Sequence, residues 1–190
     1  MATVLASASP RRKTILELLG VKDLRVVPAK GEERIPEHAG PAETVECLSA
    51  AKALEVAKKC SQSDVIIAAD TIVWLHDRIL GKPSDAAEAA EMLEELSGNC
   101  HEVYTGVTIV RGDTVLSEHE VSSVIFRPLT AEEISAYIRT GEPMDKAGAY
   151  GAQGIGALFI ERIEGDFFNV MGLPVCRLGE MLKKLGVKLL

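Results

Sequence analysis

One aspartate, Asp70, interrupts an apolar run from Val65 to Leu75. A carboxylate there without a partner would be costly enough to protonate or to disrupt the strand. It therefore serves as a metal ligand, an acid–base group or half of an ion pair, with Lys82 a possible partner. A second anomaly is Arg11-Arg12 in the first turn of a helix opened by Ser9-Pro10. Helix N-termini carry partial positive charge, so two arginines are disfavoured there unless an anion joins them. Ser7 and Ser9 add hydroxyls to the same turn; the alternative is a pair of solvated arginines. Lys52 projects into the face shared by Val45, Leu48 and Val56, where it must either snorkel or meet an acid. Lys82 is confined between Gly81 and Pro83. Glu32-Glu33 reads as a solvated pair or as metal-binding acids. Gly148, Gly151, Gly154 and Gly156 mark either a close approach of backbone to ligand or tight turns. Gln153 among them can donate and accept hydrogen bonds together. Cationic side chains, acids suited to a hard metal and the lack of a Ser–His or Cys nucleophile favour phosphate-anhydride hydrolysis over acyl transfer or redox chemistry.

These residues need a scaffold, and the sequence supplies a mixed α/β one. Thr3–Ala6 is a short apolar run, followed by a helix from Pro10 to about Leu19 and a strand at Leu24–Val27. A charged loop, Lys30 to Pro41, leads to a helix over about Ala42–Lys59. Val65–Ala69 is a strand continued by Thr71–Leu75, and His76-Asp77 forms a turn. Asp85 caps the next helix, with Glu88 placed for a capping box and Ala86, Ala89, Ala90, Leu93 and Leu96 as the buried stripe. Val103–Val110 and Thr114–Phe126 flank Gly112-Asp113 as a hairpin. Thr130 caps a helix to about Arg139, a strand is expected at Ala157–Ile163, and a closing helix at Pro174–Leu185. Strand–helix units come first and an antiparallel section follows, within a single domain over residues 1–190.

Composition narrows the classes further. Hydrophobic residues are 47% of the chain and charged ones 26%, ordinary for a globular protein. The formal net charge of -7 argues against bulk binding of nucleic acid or an anionic membrane. The four cysteines form no CxxC pair, and Cys47 and Cys60, read as sharing one helix, point about 140° apart. With no secretory signal pattern and no apolar run of spanning length, the chain is expected to be cytoplasmic.

Several blocks resemble the Maf family: Leu5 to Arg12, Ala69-Asp70-Thr71, Gly81-Lys82-Pro83, Leu96-Ser97-Gly98, Met144 to Gly151, Gly154, Gly165-Asp166 and Asn169 to Pro174. They occur in family order and cover nearly the whole chain. The resemblance implies a nucleoside triphosphate pyrophosphatase with a fold similar to that of inosine-triphosphate pyrophosphatases, two lobes around a deep central cleft, and a homodimer. It implies Asp70 as catalytic base, Glu33 and Asp70 as ligands of Mg2+ or Mn2+, and Ser7, Arg11, Arg12, Lys52 and Lys82 as the phosphate-binding set. Arg12, Thr71 and Gln153 match the branch acting on dTTP and UTP. Ala152 stands where the family usually has Ile, a loss of bulk beside Gln153. A nucleotide-sensing regulator of cell division and a housekeeping enzyme for non-standard purine nucleotides are the alternatives.

Overall fold

The computed structural model describes residues 2–31, 34–35 and 38–189. Among these, the strands are β1 (Thr3–Leu5), β2 (Arg25–Val26), β3 (Val65–Leu75), β4 (Arg78–Leu80), β5 (Cys100–Arg111), β6 (Thr114–Phe126) and β7 (Ile160–Glu164). The helices are α1 (Pro10–Leu18), α2 (Pro41–Ala57), α3 (Ala86–Leu96), α4 (Ala131–Ile138), α5 (Phe167–Met171) and α6 (Val175–Lys184). All seven strands join one mixed sheet in the order β2-β1-β3-β5-β6-β7, with β4 paired to β3. The pairs β1–β2 and β1–β3 are parallel, whereas β3–β4 and β6–β7 are antiparallel. Early parallel strand–helix units and a later antiparallel section are thus as the sequence implies.

The chain divides into two compact units. The first comprises the residues up to Asp70, Thr105–Glu120 and those from Gly172 onward; the second comprises Thr71–Tyr104 and Val121–Met171. In the first, Val4, Ala6, Ala53, Val56, Ile66, Ala68 and Val110 form a core of small and β-branched side chains. There α2 lies so close to β5 that a Cβ on Gly106 would come within 2.2 Å of the Val45 carbonyl oxygen. Any larger residue at 106 would push the helix off the strand. In the second unit Phe126, Tyr150, Phe159 and Tyr137 stack edge to face within a core that includes Leu75, Leu93 and Leu96.

Local chemistry sets most boundaries. Ser9 is the N-cap of α1 with Pro10 in its first turn, but the Ser9 side chain makes no capping hydrogen bond. Asp85 caps α3 by accepting the Glu88 N–H at 2.9 Å, while the Glu88 carboxylate turns to the Ser84 N–H and hydroxyl instead of closing a box on Asp85. Thr130 and Glu133 form a complete capping box on α4. The turn at His76-Asp77 holds both residues at positive φ, 48° and 59°, which folds β4 back on β3 as a tight hairpin.

Other expectations are corrected. Ala86 is exposed, Ala90 is half-buried, and Met92 completes the buried face of α3. Helix α2 ends at Ala57, so Cys60 lies beyond it, and all four cysteines are free. The expected strand at Ala157–Ile163 is split: Ile155–Phe159 is a 3-10 turn and the strand starts at Ile160. Strand β5 starts at Cys100, three residues earlier than the apolar pattern suggests.

Candidate active site

In the first unit Asp70 lies in the middle of the continuous strand β3. Its neighbour β1 pairs only with Val65, Ile66 and Ile67, so Asp70 lies three residues past the last paired position. Asp70 is 8% exposed. Lys52, on α2, donates to its Oδ1 at 2.5 Å. The ion-pair partner of Asp70 is therefore Lys52, eighteen residues away, where the sequence offered Lys82. Lys52 does rise among Val45, Leu48 and Val56, all buried, and answers that setting with an acid as well as a stem.

The second cationic group of this unit gathers at the start of α1. Ser7 is buried, and its hydroxyl oxygen accepts the Ser9 N–H at 3.2 Å and the Arg12 Nη1 at 3.1 Å. Arg12 also donates through Nε to the Gly172 carbonyl at 2.8 Å. The guanidinium is thereby fixed across the helix start, tying it to a chain segment 160 residues away. Arg11 beside it is half-buried, and no acidic residue occupies the first turn. A rigid arginine, a second arginine and a helix N-terminus free of acid make an anion-seeking arrangement.

In the second unit Thr71 follows Asp70 on β3 and is half-buried, while Lys82 and Gln153 are exposed. Lys82 follows β4 on a turn whose Gly81 carbonyl accepts the Gly148 N–H at 3.0 Å. That bond links the turn to the glycine-rich segment carrying Gln153. The glycines of this segment are taken up by the protein itself. A Cβ on Gly148 would meet Val73 at 2.9 Å, one on Gly151 would meet Lys146 at 2.7 Å, and one on Gly154 would meet the Glu142 carboxylate at 2.4 Å. Close packing against the protein's own side chains is a reason for these glycines that the sequence reading did not offer.

Glu33 lies outside the described residues, as does Glu32. Among the described residues no three His, Cys, Asp or Glu side chains gather as a metal cage. Asp70 offers an oxygen donor, which suits an ion such as Mg2+ that takes one or two carboxylates and completes its shell with water and phosphate oxygens. No helix among the described residues is long and apolar enough to cross a membrane.

Sequence reasoning missed His101, buried beside Phe126 and Tyr150, with Nε2 2.8 Å from the Tyr150 hydroxyl. It missed Tyr137 and Glu142 as well, which hydrogen-bond to backbone N–H groups on either side of Gln153. Their only signal in the chain is the density of glycines they pack against.

The fold is shared with proteins of known structure. A HAM1 protein from Coxiella burnetii superposes with a TM-score of 0.52 at 16% identity, covering 97% of this chain and all of that one (100%). Residues 2–185 match the family described as Maf-like protein, and the chain belongs to the Maf family. It is 48% identical over 184 residues to a Bacillus cereus protein named dTTP/UTP pyrophosphatase, covering 97% of this chain and 90% of the relative. A Bacillus cytotoxicus protein of the same name is 50% identical over 181 residues, 95% of this chain and 94% of its own.

Proposed function

We infer that this protein hydrolyses nucleoside triphosphates to the monophosphate and pyrophosphate, with dTTP and UTP as its preferred substrates. The observation that carries the reading is the pairing of Asp70, on the apolar strand β3, with Lys52 of α2, in a chain whose relatives are named for that activity. A carboxylate kept in an apolar strand and aimed by an ammonium suits a group that must take a proton at a fixed position.

In the proposed reaction a water oxygen attacks the α-phosphorus in line, and Asp70 accepts its proton. The bond from the α-phosphorus to the bridging oxygen breaks, and pyrophosphate leaves. Lys52 orients the Asp70 carboxylate and adds positive charge near it. Arg11 and Arg12, with Ser7 and the α1 N-terminus, would bind phosphate oxygens, and Lys82 would offset further charge. Positioning and electrostatics are the main resources in such transfers. A divalent ion, Mg2+ or Mn2+, would be held by Asp70 and Glu33 and would neutralise phosphate charge when bound. Thr71, Arg12 and Gln153 would read the base. Uracil and thymine offer acceptor, donor and acceptor groups in sequence, which a carboxamide can pair with two at a time. Cytosine reverses part of that pattern, and a mispaired buried group costs about 1–3 kcal/mol.

The test is pyrophosphate release by the purified protein against a panel of dTTP, UTP, CTP, ATP and ITP. The reading requires kcat/KM for dTTP and UTP to exceed those for the others by at least about tenfold. Absence of turnover on every member would sink it. Preference for ITP would replace it with a purine-directed enzyme.

A further inference from the structure

Gln153 stands on a turn whose backbone is fastened on both sides to one pair of side chains. The Glu142 carboxylate accepts the Ile155 N–H at 2.9 Å through Oε2 and the Gly156 N–H at 3.1 Å through Oε1. The Tyr137 hydroxyl donates to Oε1 of the same carboxylate at 2.9 Å. Tyr137 in turn accepts the Gly151 N–H at 3.3 Å on its phenolic oxygen. Residues two before and two after Gln153 are thus held by this carboxylate–phenol pair. Burial works against the charge on Glu142, yet the two backbone N–H groups and the hydroxyl outweigh it and keep the carboxyl below its ordinary range.

The glycines around Gln153 make room for this pair. At Gly154 a Cβ would sit 2.4 Å from Glu142 Oε1 and 2.5 Å from Oε2, and at Gly156 it would sit 2.6 Å from the Tyr137 hydroxyl oxygen. The far end of a glutamate could usually swing away, but this one is fixed by three donors. Lys146 adds to the anchorage by donating to the Glu142 carbonyl at 2.7 Å. The sequence therefore devotes glycines, an acid and a phenol to holding one exposed glutamine in place.

We propose that Glu142 and Tyr137 are positioning residues that fix Gln153 for base recognition, and so set the discrimination among pyrimidine nucleotides without touching substrate. This rests on the assignment of base reading to Gln153 made above. The physical reason is that a carboxamide has a donor end and an acceptor end. If its backbone can shift by about an ångström or turn, the amide can present the reverse pattern and serve cytosine as well as uracil. Only a carboxamide on a held backbone penalises the wrong base.

Three proteins beside the wild type test this: Glu142→Gln, Tyr137→Phe and Gln153→Ala. Glu142→Gln turns one acceptor oxygen into a donor facing donors, and Tyr137→Phe removes a single hydroxyl and is the gentler change. Two readouts are needed, amide hydrogen exchange at residues 151–156 and kcat/KM for UTP and CTP. In both clamp variants, exchange of the Gly151, Ile155 and Gly156 amides should rise about tenfold or more. The UTP to CTP ratio should fall at least about fivefold, mainly through KM for UTP, with kcat on UTP within about twofold of wild type. A purely structural role would lower both substrates together and leave the ratio untouched. Unchanged exchange in both variants overturns the clamp. Raised exchange with an unchanged ratio, while Gln153→Ala flattens it, overturns the positioning role. An unchanged ratio in Gln153→Ala overturns the base-reading assignment itself, and the positioning role with it.

Discussion

Acidification should weaken the second unit through His101. This ring is 2% exposed, lies edge-on to Phe126 and Tyr150, and has no hydrogen-bond partner at Nδ1. Burial alone drives its pKa from the ordinary 6.5 down to about 4. The unfolded chain therefore binds a proton near pH 6.5 that the folded chain refuses until about pH 4. Above that window both states hold a neutral ring and His101 adds no pH dependence. Stability is lost progressively as pH falls through it. At about 1.4 kcal/mol per pKa step, the full loss is about 3 kcal/mol. For a chain of this size that lowers the melting temperature by roughly 10 °C. The assay is thermal unfolding at about pH 7.5 and about pH 4.5 for the wild type and for His101→Gln, which keeps an amide near the Tyr150 hydroxyl but cannot titrate. The variant should start less stable, because the aromatic contacts are lost, but should lose about 2–3 kcal/mol less than the wild type on acidification. Parallel losses in the two proteins would refute the reasoning.

Two further outcomes follow from the site. Lys52→Met should leave the buried Asp70 carboxylate without its ammonium, costing about 2 kcal/mol once the residual exposure of both groups is allowed for. Adding Asp70→Asn should recover most of that loss, and strictly additive melting temperatures in the double variant would contradict the pairing. Chelation by EDTA should stop pyrophosphate release and added Mg2+ or Mn2+ should restore it, whereas activity that persists in chelator would exclude the metal-assisted route.

The parts of the fold that local chemistry decides were legible in the chain. Thr130 and Asp85 as helix caps and the His76-Asp77 turn each act within a few residues and are where the sequence puts them, although Glu88 does not close the expected box. Asp70 was legible for a different reason: a charge in an apolar strand stands out whatever surrounds it. Its partner was not. Lys52 reaches Asp70 from a separate element, α2, which packs closely on β5 where Gly106 lacks a side chain, and that tertiary placement is not written in the local pattern. The 3-10 turn at Ile155–Phe159 was hidden likewise. Its apolar residues read as a strand, but the Ile155 and Gly156 N–H groups are claimed by Glu142, thirteen residues and more upstream, and a strand there would leave that carboxylate unanswered. The five-residue helix α5 is too short for periodicity to reveal. Family membership was legible in the motif blocks, and the matched residues 2–185 agree with it.

The central claim is that Asp70 takes the proton from the attacking water. Asp70→Asn preserves shape and removes basicity, so pyrophosphate release from UTP under saturating conditions measures that claim most directly. The variant should fold, should still bind UTP, and should lose at least about a thousandfold in kcat, a deficit of about 4 kcal/mol in transition-state stabilisation. Retention of more than about a tenth of the wild-type kcat, a deficit below about 1.4 kcal/mol, would contradict it and move the base elsewhere.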